Sequence, residues 1–114
     1  MPEERRCWKR FNCEFPCSLL RIGAESGKES LAIVKDVSLG GARIWAPSFI
    51  PSSTRVLSYL QIPKHAPIAV ELKLMWLVSL THFSRYEIGC RFEALGEEDK
   101  KVLESYQQDL LRAA

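Results

Sequence analysis

Arg5, Arg6 and Arg10 stand close together near the start of the chain, and Asp36 and Ser38 precede a Gly40-Gly41 pair. A guanidinium is a planar fork of donors that grips a phosphate or the O6/N7 edge of guanine and stacks on a base. In an extended segment Arg6, Trp8 and Arg10 share one face, because side chains alternate with a period of two. Asp36 supplies a carboxylate able to accept the N1–H and N2–H of a guanine edge, and the Ser38 hydroxyl can donate or accept. Gly40 and Gly41 let the backbone adopt positive φ and approach a ligand closely. Each group also has a plainer use. N-terminal charges are usually a solvated tail, and Asp and Ser before Gly-Gly often do no more than cap a turn.

The remaining candidates are weaker. Arg43 is a further cation near the turn. Trp76 shares the strand phase of Val70, Leu72 and Leu74, which predicts core packing; stacking on a base is the other use of an indole there. Arg91 falls in the opposite phase from Tyr86, Ile88 and Phe92 and points outward, either to a ligand phosphate or to solvent. His65 and His82 lie in loop-like stretches and read as surface residues. Cys7, Cys13, Cys17 and Cys90 show neither CxxC spacing nor paired histidines, so they read as reduced thiols rather than zinc ligands. There is no nucleophile–base pair and no phosphate-cradling glycine loop, so the expectation is recognition without catalysis.

Bulk properties narrow the class. At 114 residues the length is that of one domain, and 46% hydrophobic residues suffice for one core. A net charge of +2 is too small for general nucleic-acid binding. A small barrel binding single strands, with Trp8 and Trp45 as platforms, would need a basic aromatic stripe that the sequence does not show. The cations of residues 5–10 and the acid-rich stretch from Glu93 to Asp109 suit a localised anion site. No apolar leader follows the charged N-terminus, and the longest apolar run, Leu74 to Val78, is far below a membrane span. The expectation is a soluble, cytoplasmic protein with no membrane insertion.

The elements that must position these groups are mostly strands. Alternation or apolar runs mark Phe15–Ile22, Glu29–Val37, Ala42–Ala46, Arg55–Ile62, Ile68–Val78 and Arg85–Glu93, although the spacing of Val56, Leu57 and Leu60 also suits a helical turn. In the second, Ala32, Val34 and Asp36 share a face opposite Leu31, Ile33 and Lys35. After Gly96 the period changes, and Val102, Leu103, Tyr106, Leu110 and Leu111 follow helical spacing behind an acidic first turn. These signals predict a mainly β fold: a small six-stranded antiparallel barrel with a C-terminal α-helix. The expected division is an arginine-bearing arm at 1–12, a barrel at 13–96 and a helix at 97–114.

In order and spacing, Arg6–Arg10 (RxxxR) and Asp36–Gly41 (DxSxxG) resemble the paired motifs of the PilZ domain. Leu74–Val78, with its embedded Trp76, and Tyr86–Phe92 resemble the late strands of that family. The resemblance runs from Arg5 to about Leu111. It implies a receptor for the bacterial second messenger cyclic di-GMP, with no cofactor. Arg6 and Arg10 would grip phosphate and guanine, Asp36 and Ser38 would read guanine, and Gly41 would permit the close approach. Arg5, just before the first motif arginine, implies an intercalated ligand pair rather than a single molecule. Gly40, Arg43, Trp76 and Arg91 are secondary contacts. Binding would order the N-terminal arm and alter a surface for a downstream protein; oligomer formation is left open. The alternative is a PilZ-like interaction adaptor that binds no nucleotide.

Overall fold

The computed structural model describes residues 10–23, 29–82 and 84–113. Arg5, Arg6, Cys7 and Trp8, and with them most of the expected arm, lie outside the described residues. Six strands form: β1 (Phe11–Arg21), β2 (Glu29–Val37), β3 (Gly41–Ala46), β4 (Arg55–Leu60), β5 (Ile68–Leu80) and β6 (Arg85–Ala94), followed by α1 (Glu97–Ala113). They close into an antiparallel barrel in the order β1-β2-β3-β6-β5-β4, with β4 pairing back to β1. Closure leaves no free sheet edge among these strands. The first strand starts at Phe11, four residues before the apolar run that marks it in the sequence.

Alternate residues of every strand fill the interior. Phe15, Val34, Ile44, Val56, Leu72 and Ile88 are at most 1% exposed and belong to one continuous core. The apolar stripe of α1 covers part of the barrel from outside: Tyr106 packs edge-on to Phe15, ring centroids 5.5 Å apart, and tilted against Phe11 at 6.0 Å. Glu97, Glu98 and Asp99 complement the positive end of the helix. His65 is not the partnerless surface residue its loop suggested. Its Nε2 lies 3.0 Å from Asp109 Oδ2 of α1, a contact across 44 residues that no local pattern reveals.

Two bulges overturn the simple strand phase. In the β2–β3 ladder Val34 faces Ile44 but Asp36 faces Arg43, so one extra residue of β2 is inserted. Val37 then takes the inward position opposite Ala42, and Asp36 leaves the face of Ala32 and Val34. In the β5–β6 ladder Leu74 faces Cys90 but Trp76 faces Gly89, with Met75 inserted. Trp76 is therefore 42% exposed on the outer surface, and Val78 follows it outward. The core position predicted for Trp76 is incorrect, because alternation holds only until a bulge resets it.

Cys17 and Cys90 are buried free thiols and Cys13 is half-buried. Burial pushes all three up to about 12 from an ordinary 9.0, and burial also raises Tyr106 to about 12 from 10.0. Below pH 9 these groups are protonated in both folded and unfolded chains. Above it the unfolded chain releases protons that the folded chain keeps, so stability should fall as pH rises from about 9 toward 12. Thermal melts between pH 8 and 11 should show a falling Tm. Cys17 and Cys90 should resist alkylation at pH 8 until the protein is unfolded. A flat Tm across that range would contradict the assignment.

Candidate functional site

The bulge that turns Asp36 outward places it against cations from two directions. Asp36 Oδ1 accepts a bond from Arg10 Nη1 at 2.6 Å, and Oδ2 accepts one from Arg43 Nε at 2.5 Å. The side chain of Asp36 is only 8% exposed, against 58% for Arg10 and 30% for Arg43. A nearly buried carboxylate needs such partners, since an unpaired buried charge is costly. The hydrogen bond to Asp36 raises the Arg43 pKa above its ordinary value against a smaller lowering by burial, and the charge of Asp36 and the contacts with Glu87 add to the rise. Arg10 immediately precedes β1, and Asn12 faces Asp36 in the β1–β2 ladder. That register brings the end of the first motif to the start of the second.

Ser38 acts on its own turn. Its Oγ accepts the N–H groups of Gly40 at 3.1 Å and Gly41 at 3.2 Å, and its backbone N–H donates to the Gly41 carbonyl at 2.8 Å. The turn-capping use of Ser38 is thus present. The hydroxyl hydrogen reaches only a distant carbonyl, Gly41 O at 3.5 Å, which leaves donor capacity for a ligand. Neither Gly40 nor Gly41 has positive φ; Gly23 alone does among the described glycines. Gly41 is required for a different reason: a Cβ there would overlap the backbone carbonyl oxygen of Cys90 on β6. The Gly40 carbonyl in turn accepts the Phe92 N–H at 3.0 Å, which ties the turn to β6.

A cleft of ≈ 410 Å³ opens beside this turn. Arg10, Ser38, Gly40 and Gly41 line one part of it, and Met75, Trp76, Gly89, Cys90 and Arg91 the rest. The indole of Trp76 lies directly over Gly89, where a Cβ would collide with the ring. Arg91 is half-exposed and only loosely paired, its Nη2 3.7 Å from Glu93 Oε1. A flat aromatic wall, two arginines and a serine hydroxyl form a surface able to take a planar base and a phosphate together. Asp36 and Arg43 do not line the cleft but stand behind Arg10, which both lines it and bonds Asp36.

The structure brings together Arg10, Asp36, Ser38, Gly40, Gly41, Arg43, Trp76 and Arg91. It describes neither Arg5 nor Arg6. Sequence reasoning overlooked Met75, Gly89 and Glu87. A glycine inside a strand marks close approach or a bulge, so Gly89, flanked by Ile88 and Cys90, carried a usable signal. Met75 is outward by plain alternation; what the bulge adds is Trp76 beside it on the same outer face.

Comparison with known proteins bears on what this surface serves. A family model described as the PilZ domain matches residues 4–108. No curated protein matches the sequence. Several solved structures share the fold. The complex of MrkH from K. pneumonia with c-di-GMP superposes with a TM-score of 0.74 at 21% identity, covering 93% of this chain and 52% of that one. YcgR from Escherichia coli in complex with c-di-GMP gives 0.76 at 14% identity, covering 96% and 47%. The isolated PilZ domain of YcgR with c-di-GMP gives 0.70 at 13% identity, covering 96% of each chain. The chain thus spans about half the length of the two longer proteins.

Proposed function

Because the chain belongs to the PilZ domain family, we propose that it binds cyclic di-GMP in the cleft of Arg10, Ser38, Trp76 and Arg91. One observation carries the reading: the two motifs, 26 residues apart, meet in the Arg10–Asp36 ion pair beside that cleft. Arg10 and Arg91 would grip phosphate, and Arg5 and Arg6 would add to them from the N-terminal arm. Ser38 would donate to the ligand, and Trp76 would stack on a guanine. Asp36 would accept the guanine N1–H and N2–H once Arg10 turns toward a phosphate. The likeness to MrkH and YcgR, whose structures hold c-di-GMP, supports the choice of ligand.

The signal would pass through the N-terminal arm. Arg10 already has a partner without ligand, because it bonds Asp36. The proposed switch is therefore an exchange of partners rather than the neutralisation of free charges: Arg10 leaves Asp36 for the ligand, and the arm preceding it becomes ordered. The reshaped surface would engage or release a downstream protein.

Calorimetric titration with cyclic di-GMP should give saturable binding that linear pGpG or GTP does not match. A stoichiometry near two ligands per chain would support the intercalated pair that Arg5 suggests, and one per chain would remove it. Hydrogen exchange of residues 1–9 should slow with ligand; equal exchange in both states would refute the arm as relay. The doubly paired state of Asp36 favours a second reading, an interaction adaptor that binds no nucleotide, because the site is satisfied without a ligand. Absence of heat in the same titration would select it.

A further inference from the structure

Glu87 belongs to neither motif, yet it anchors the network that holds Asp36. Trp45 and Glu87 are cross-strand partners of β3 and β6, and Arg43 faces Gly89, which has no side chain to obstruct it. The Arg43 guanidinium leans along β6 so that Nη1 donates to Glu87 Oε1 at 2.9 Å while Nε donates to Asp36 Oδ2 at 2.5 Å. Trp45 Nε1 donates to the same Glu87 oxygen at 3.0 Å, which fixes the carboxylate that fixes the arginine.

The two cations hold Asp36 unequally. Arg10 is 58% exposed and precedes the first strand, whereas Arg43 sits within β3 and is pinned at both ends. If Arg10 turns to a phosphate, Arg43 is the remaining partner of Asp36 among the described residues. We propose that Glu87 is a positioning residue for cyclic di-GMP binding, acting through Arg43 to keep the Asp36 carboxylate in place when Arg10 leaves it. This inference rests on the nucleotide-binding reading above. It makes Arg43 a brace on Asp36 rather than a direct contact of the ligand.

The test titrates the parent, Glu87→Gln, Arg43→Lys, Asp36→Asn and the double variant Glu87→Gln/Asp36→Asn with cyclic di-GMP, with thermal melts alongside. Glu87→Gln should weaken binding about tenfold while the protein remains folded. Arg43→Lys should do the same, because one ammonium cannot reproduce the fork that bridges two carboxylates. In the Asp36→Asn background Glu87→Gln should change affinity less than about twofold, because its effect passes through Asp36. An equal loss in both backgrounds would make Glu87 a general structural residue and overturn the proposal. Parent-like affinity of Glu87→Gln would overturn it while leaving the binding site intact, and a parent that does not bind would overturn both. If Glu87→Gln does not fold, Arg43→Lys carries the test, and parent-like affinity there overturns the brace.

Discussion

Arg10→Ala should lower the affinity for cyclic di-GMP by about 2–5 kcal/mol, roughly thirtyfold to several thousandfold, while the barrel stays folded. The loss is large because Arg10 is the described residue that both lines the cleft and bonds the Asp36 carboxylate. The effect on stability should be small. Arg10 is 58% exposed, exposed ion pairs contribute about 0–1 kcal/mol, and Asp36 keeps its bond from Arg43. Calorimetry for affinity and a thermal melt for stability separate the two effects. Parent-like affinity would remove Arg10 from the site and with it the proposed exchange of partners.

Gly41→Ala should destabilise the barrel by about 1–3 kcal/mol or more, lowering Tm by roughly 5–20 °C. The added Cβ would overlap the Cys90 carbonyl oxygen, a backbone atom that cannot rotate aside, so β3 and β6 would have to separate. Gly89→Ala provides the contrast. Its Cβ meets the Trp76 indole, a side chain that can swing away. The expected result there is a smaller loss of stability, with a loss of affinity because the aromatic wall of the cleft has moved. Differential scanning calorimetry and ligand titration of both variants distinguish the cases. A Gly41→Ala protein that melts with the parent but binds poorly would mean that Gly41 serves the ligand rather than the seam between strands.

The strands and the helix were legible because their signals are local. Ile68 to Leu74 alternates without interruption and is a strand with Ile68, Val70, Leu72 and Leu74 buried. The spacing of Leu103 and Tyr106 marks the buried stripe of the helix. The site was legible in composition but not in arrangement. Asp36 and Trp76 were both assigned to faces they do not occupy, and both errors have one cause. An inserted residue in a ladder reverses the phase of everything after it, yet leaves the apolar pattern before it intact. Glu87 was invisible for another reason: its importance comes from Arg43 and Trp45, more than 40 residues earlier.

Residue types and their order along the chain are enough to specify a small barrel with arginines before its first strand and an acid–hydroxyl–glycine turn after its second. That much follows from periodicity, turn chemistry and the donors and acceptors each side chain carries, all of which a linear chain possesses before it folds. Which way Asp36 and Trp76 face, what Gly41 makes room for, and that Arg10 already has a partner were decided only when the barrel closed. Facing depends on the register between strands, and close approach depends on the backbone of a strand distant in sequence. Both are properties of pairs of segments, so no single segment contains them.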